Sequence, residues 1–213
     1  MNALLVAAAL VQVDVIPFEK NPWDGFAPDS AVRLVVVDGG KTREVALTRT
    51  PHDRLRTDDG EVPIAFMQFS QIVKAINLPH TGKSVETVLG QKARVEEYSA
   101  YDGVNTGRIR LSLADGIPGG VAKLVIDLEA GGRREQVRHE AKAVERIDVA
   151  RRKVQAVRFE YERTSAEGEK VKATYWLSSE VPGLTAKYRG KTTFGRDVRE
   201  KTIDVIDFET KRK

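Results

Sequence analysis

Cysteine is absent from this chain of 213 residues. Disulfides, thiolate catalysis and Cys-ligated zinc or iron–sulfur sites are therefore excluded, and neither an oxidising nor a reducing compartment is favoured. Beyond residue 12 the sequence has no apolar run long enough to cross a bilayer, so no integral membrane span is expected. A composition of 41% hydrophobic and 31% charged residues indicates one globular domain with a sizeable core.

The sequence also has no large excess of charge of either sign. Lys and Arg total 35 against 31 Asp and Glu, and the resulting excess of +4 is spread along the chain. A short basic run, Lys211-Arg212-Lys213, ends the sequence. Aromatic residues make up 7% of the chain, too few for the interleaving with basic residues that single-strand binders use. No nucleic-acid partner is therefore predicted.

Motifs that carry catalytic chemistry are missing as well. His52, His80 and His139 are scattered, without the spacing of metal ligands. Three Gly-Lys-Thr or Gly-Lys-Ser tripeptides lack the earlier glycine of a phosphate loop, and no Gly-x-Ser-x-Gly elbow occurs. We therefore predict no catalytic, cofactor-binding or metal-binding residues and a non-enzymatic protein. A hydrolase whose acidic residues meet only in the fold stays open as an alternative.

The start of the chain bears on location. Residues 3–11 form nine consecutive apolar residues, which matches the apolar region of a secretory leader. Residues 1–12 are thus predicted to be a signal peptide or short leader, and the protein is expected in the periplasm or cell envelope. The alternative is a buried first strand.

Alternation with period two dominates the remainder. Ile109, Leu111 and Leu113, for example, fall on one face of an extended chain. Similar segments, separated by Gly-containing turns, lie at 32–37, 44–49, 93–98, 121–129, 154–162, 170–177, 185–189 and 201–208. Long amphipathic helices are nearly absent, so the pattern predicts a mainly β protein with few helices. We expect a curved antiparallel sheet, either a half-barrel or a sandwich.

Two segments are ambiguous. Residues 62–78, bounded by Pro63 and Pro79, fit either a helix or one or two strands. Residues 134–150 are charged enough for a helix, but Val137, His139 and Ala141 keep strand parity, which favours a strand.

An internal repeat is the best-defined sequence feature. Pro118-Gly119 recurs as Pro182-Gly183 with matching residues on both sides, and each step suits a type II turn. Residues 93–98 resemble 156–161 upstream, and 147–149 resemble 203–205 downstream. We predict a single β-rich domain over 13–213 with a duplicated unit at about 90–150 and 152–209, in which the Pro-Gly steps are turns and not binding elements.

Two motifs resemble known proteins. The segment Asn21-Pro22-Trp23-Asp24-Gly25-Phe26 is similar to the opening of secreted planctomycete-type proteins of unknown function. Trp176-Leu177-Ser178-Ser179-Glu180-Val181-Pro182-Gly183 resembles an element of those proteins and of envelope proteins with a half-barrel like that of the outer-membrane lipoprotein carriers LolA and LolB. Leu184 stands where the motif has a second glycine. The resemblance implies a concave sheet face able to hold acyl chains.

Aromatic residues supply the candidate site. Trp23 and Phe26 either plug one end of the sheet or line a pocket mouth, and Trp176 must face away from Tyr175 on the same strand. The predicted function is an exported, non-enzymatic envelope protein that binds or carries an apolar ligand or a lipidated partner. The alternative is a structural or protein-interaction module without a ligand cavity.

Overall fold

The computed structural model describes residues 16–52, 54–64, 68–75 and 78–211, so the predicted leader lies outside the described residues. Strands account for most of the described chain, with a single short helix among them. The elements are β1 Ala31–Asp38, β2 Lys41–Arg49, β3 Arg54–Thr57, β4 Gly60–Pro63, α1 Phe69–Ala75, β5 His80–Val88, β6 Gln91–Tyr101, β7 Thr106–Leu113, β8 Val121–Ala130, β9 Arg133–Val149, β10 Arg152–Thr164, β11 Lys170–Leu177, β12 Thr185–Phe194 and β13 Asp197–Glu209.

All described strands belong to one antiparallel sheet. Strands β5 to β13 follow one another as neighbours, and β13 then pairs with β1, which leads through β2 and β3 to β4. Strands β4 and β5 form the two edges, so the sheet is curved and does not close on itself. The predicted mainly β fold with a curved antiparallel sheet is confirmed. No helix in the described part of the chain is long and apolar enough to cross a membrane.

The two ambiguous segments have different outcomes. The charged segment is the 17-residue strand β9, as its parity predicts. In the other segment, β4 ends at Pro63 and the seven-residue helix α1 begins at Phe69, so both a strand and a helix occur there. Strand β9 also contains a bulge: Arg158 pairs with Ala143 but Phe159 pairs with Ala141. The extra residue, Lys142, shifts the parity of the later residues of the strand.

Two buried apolar clusters hold the sheet together. The first core is formed mainly by β6 to β11, and α1 packs on it through Val73. The second core joins Trp23 to residues of β1, β9, β10 and β13, including Val32, Val154 and Phe208. Strand β10 contributes to both clusters, since its buried positions change from even to odd numbers between Ala156 and Val157. Its two parts therefore bury opposite faces.

The two Pro-Gly loops have the same hydrogen bonds. Between β7 and β8, Ala114 N–H donates to the Gly120 carbonyl at 2.9 Å; between β11 and β12, Ser178 N–H donates to the Leu184 carbonyl at 2.8 Å. Gly119 and Gly183 both have positive φ, of 81° and 75°. Leu184 adopts φ 61° where the first loop has a glycine at 82°, so the backbone shape is kept without glycine. That the two halves are copies of one unit stays a prediction.

Candidate ligand-binding face

Residues 16–30, here called the strap, run across both Pro-Gly loops. The Phe18 ring lies against Gly119, and the Trp23 ring lies against Gly183. The backbone N–H groups of Glu19 and Lys20 both donate to the Gly119 carbonyl, at 2.7 and 3.2 Å. One aromatic ring therefore covers each Pro-Gly step. The glycines are needed both for their positive φ and for the close approach of the rings.

The strap is also fixed at its far end and to the helix. The guanidinium of Arg49 donates to the backbone carbonyls of Trp23 and Phe26, and Ser30 Oγ bonds both the carbonyl and the N–H of Lys211. Glu19 accepts hydrogen bonds from the backbone N–H and hydroxyl of Ser70 at the start of α1, at 3.0 and 2.6 Å. These contacts close the end of the sheet where the Pro-Gly loops lie.

The structure brings two of the three aromatic residues singled out from the sequence to the same cluster, since Trp176 packs against the second core, which contains Trp23. Trp23 and Phe26 are buried, within the strap. Trp176 is half-buried and faces away from Tyr175; its indole N–H donates to Glu145 at 3.1 Å, and the Lys187 ammonium lies 5.4 Å from its ring centroid. The fold does not bring Trp176 to the first core. A ligand-lining role for these three residues stays a prediction.

We expect Gly119→Ala to destabilise the fold by about 2 kcal/mol more than Gly168→Ala. Both glycines have positive φ, of 81° and 88°, but a Cβ at Gly119 would lie 2.6 Å from Phe18 whereas nothing lies within 4 Å at Gly168. Urea unfolding measures both changes. The difference should vanish in a Phe18→Ala background, and equal costs in the parent protein would show that the strap does not pack as described.

An aromatic ladder crosses four neighbouring strands on the face of the first core. It consists of His139 on β9, Phe159 on β10, Tyr175 on β11 and Tyr188 on β12. The ring centroids of His139 and Phe159 are 4.9 Å apart, those of Phe159 and Tyr175 5.2 Å, and those of Tyr175 and Tyr188 6.3 Å, with nearly parallel planes. At its last rung, the Lys201 ammonium lies 6.0 Å from the Tyr188 ring centroid.

Polar atoms of the ladder are buried without partners. Among the described residues, both ring nitrogens of His139 and the hydroxyl of Tyr175 find no hydrogen-bond partner, although each residue is only about 1% exposed. Burial lowers the pKa of His139 to about 3, so its imidazole is neutral at physiological pH. Burial raises the pKa of Tyr175 well above its usual range, helped by the nearby Tyr161 and Tyr188. A neutral donor and acceptor therefore face an apolar surrounding.

A buried ion pair lies on the same strands, nearer to the hairpin turns. Arg163 Nε donates to Glu135 at 3.2 Å, and both side chains are 4% exposed. Arg163 also lies 3.6 Å from Glu169, which is more exposed. Burial raises the pKa of Glu135, although Arg163 acts in the opposite direction. Desolvation of the carboxylate thus outweighs its attraction to the guanidinium.

Comparisons with known proteins add little. No protein-family model matches the chain, and no curated protein matches it. It is similar to the crystal structure of the hypothetical lipoprotein YmcC from Escherichia coli (K12), with 11% identity and a TM-score of 0.37 over 97% of this chain and 96% of that one. A candidate lipoprotein from Parabacteroides distasonis ATCC 8503 has 10% identity and a TM-score of 0.37 over 92% and 100%. Similarity this low carries no functional argument.

The aromatic ladder is not predicted from the sequence. In the sequence, His139 is one of three scattered histidines and Tyr175 is notable only as the neighbour of Trp176. The signal was parity: His139 shares a strand face with Val137 and Ala141, so a buried polar ring was predictable from the alternation. That the His139 ring lacks a hydrogen-bond partner among the described residues was not predictable, because it depends on which residues the neighbouring strands place beside the ring.

Proposed function

We propose that this protein is a non-catalytic binding module of the cell envelope that holds an apolar ligand, or the apolar part of a lipidated partner, against the aromatic ladder. The observation that carries the proposal is the pair of buried polar groups, on His139 and Tyr175, that have no hydrogen-bond partner in the part of the chain that the structure describes. The envelope location rests on the predicted leader at residues 1–12 and on the sequence resemblance.

Buried polar groups without partners need an explanation, because each costs about 1–3 kcal/mol when left unsatisfied. A bound ligand that displaces the side chains covering His139 and Tyr175 would supply the missing partners. Neutral His139 can donate from one ring nitrogen and accept at the other, and Tyr175 can donate from its hydroxyl. The matching ligand is an apolar molecule with a hydroxyl, ester or amide group, since the surroundings of both side chains are otherwise apolar and aromatic.

Within the described residues, the ring contacts of His139 include no reactive partner, which supports a binding role. Its ring contacts are Phe159 and Tyr175, neither of which is a nucleophile at neutral pH. Glu140, the adjacent carboxylate, bonds to Lys142 on the other face of the strand. A histidine with a pKa of about 3 is also a weak base.

A solid structural or interaction module is the second candidate function. It is favoured by the close stacking of the ladder, whose ring centroids lie 4.9–5.7 Å apart around His139 with both side chains fully covered. In that case the unpartnered groups would only reduce stability.

The test is to purify the whole protein from an envelope extract without detergent and to analyse its organic extract by mass spectrometry. The double variant His139→Leu/Tyr175→Phe removes the polar atoms and keeps the approximate shape. The control His80→Leu/Tyr101→Phe makes the same changes at exposed positions. We expect an apolar compound in the wild type and control, and at least about tenfold less in the ladder variant. Equal amounts in all three, or none in the wild type, would reject the proposal.

A further inference from the structure

The hairpin formed by β12 and β13 carries exposed apolar residues at its tip. Phe194 is 53% exposed and Val198 is 54% exposed. Phe194 lies one residue beyond the last pair with β11, Lys170 with Thr193, and Val198 lies three residues beyond the last pair with β1, Asp38 with Lys201. The tip therefore projects past strand pairing on both sides.

Cations surround this tip. Residues 191–201 contain four Lys or Arg and two Asp or Glu, and residues 38–43, in the adjacent β1–β2 hairpin, contain two and one. Six cations against three anions give +3, most of the chain's net charge of +4. Arg199 holds the two hairpins together through two hydrogen bonds to Asp38, at 2.6 and 2.7 Å. The basic tips are thus fixed side by side.

A second pair of exposed apolar residues at the same end of the sheet is not surrounded by as many cations. Tyr101 and Val104, in the β6–β7 hairpin, are both 74% exposed. Over spans of the same length, residues 98–108 and residues 130–135 of the adjacent β8–β9 hairpin contain three Arg and two Asp or Glu, a net charge of +1 against +3 at the first tip. The two pairs are separated by the strands from β8 to β11, so they do not form one patch.

We propose that the β12–β13 hairpin docks on an anionic phospholipid surface, with Phe194 and Val198 entering the interface and the basic residues of both hairpins contacting head groups. Apolar side chains on a projecting tip ringed by cations fit a bilayer surface, where apolar burial and attraction to anionic lipids act together. A protein partner would call for a larger continuous apolar patch. Phe194 and Val198 are not part of the aromatic ladder, although Lys201 of the basic surface lies 6.0 Å from the Tyr188 ring centroid. The proposal does not depend on the ladder's ligand.

Co-sedimentation with vesicles tests the docking. The vesicles are made of phosphatidylcholine alone or with about one third phosphatidylglycerol, a proportion chosen to give a negative surface potential. We expect the whole protein to bind the mixed vesicles far better, and the binding to weaken as salt is raised. Phe194→Ser/Val198→Ser should lower the partition coefficient about tenfold, whereas the control Tyr101→Ser/Val104→Ser should leave it unchanged.

A positive signal guards against a variant that misfolds. Phe194→Trp should bind like the wild type and shift its emission to shorter wavelength on the mixed vesicles only. The proposal is overturned if the wild type does not bind the mixed vesicles, if both lipid mixtures bind equally, or if the control variant loses as much binding as the tip variant. It is also overturned if the tip variant changes only self-association in sedimentation velocity.

Discussion

Replacing Arg163 with methionine is expected to destabilise the protein by about 3–5 kcal/mol. The change leaves the Glu135 carboxylate, whose side chain is 4% exposed, buried without its guanidinium partner. Because burial already raises the pKa of Glu135, the variant should regain stability as the pH falls and this carboxylate takes up a proton. Urea unfolding measured at several pH values gives both the loss of unfolding free energy and its recovery as the pH falls.

The partner substitution serves as the control for that experiment. Arg163→Met/Glu135→Leu removes both charges and should recover most of the lost stability, since a buried ion pair can be replaced by apolar residues at little cost. Glu135→Gln alone should cost less than Arg163→Met because Arg163 keeps Glu169. A cost below about 1 kcal/mol for Arg163→Met would mean that this pair is effectively solvated.

Lowering the pH from about 7 to about 5 should cost about 2 kcal/mol through His139 alone. The imidazole has its ordinary pKa of 6.5 in the unfolded chain and about 3 in the folded protein. In this range the unfolded state binds a proton that the folded state does not, so stability is lost as the pH falls. In His139→Leu this part of the pH dependence should disappear, and stability at neutral pH should equal or exceed that of the wild type because an unpartnered group is removed.

The measurement is the free energy of urea unfolding of wild type and variant across this pH range. His52→Gln removes an exposed imidazole instead and should keep the wild-type slope. If His139→Leu has the wild-type slope as well, the imidazole is hydrated or charged in the folded protein, and the ladder does not present a neutral donor and acceptor.

Alternation predicted the strands well because one face of most of them is buried. The charged strand β9 shows where this works and where it fails. The parity of Val137, His139 and Ala141 is correct up to the bulge at Lys142, which places Ala143, Glu145, Ile147 and Val149 together on the opposite face. A bulge is visible only in the pairing of two strands.

The strand pairing can also be compared with the two sequence matches on either side of the Pro-Gly steps. Tyr98 pairs with Ile109 and Tyr161 pairs with Ala173, which is compatible with the upstream match of 93–98 with 156–161 but does not test it, so the match stays a prediction. The downstream match of 147–149 with 203–205 does not follow the strand pairing. Lys123 pairs with Glu140 and Lys187 with Asp204, so the counterpart of Asp204 is Glu140 and not Asp148. Short motifs of β-branched and acidic residues recur on any solvated strand and are poor markers of register.

The candidate site depended on contacts between distant residues. The Asn-Pro-Trp segment marked the strap, but its docking on Gly119 and Gly183 depends on both Pro-Gly loops lying at one end of the sheet. Phe159, Tyr175 and Tyr188 pair directly across β10, β11 and β12, whereas His139 pairs with Tyr161 and reaches the Phe159 ring diagonally. The ladder therefore depends on every register between β9 and β12. No local pattern contains that information.

The ring nitrogens of His139 offer the most direct test of the binding role. Nitrogen-15 NMR of the imidazoles is recorded for protein purified without detergent, and again after the same sample has been unfolded, extracted and refolded, with His52→Gln and His80→Gln used for assignment. We predict that the His139 nitrogen signals differ between the two samples, because a hydrogen bond to the ligand is present in the first and absent in the second. Identical His139 signals in both samples would contradict the binding role.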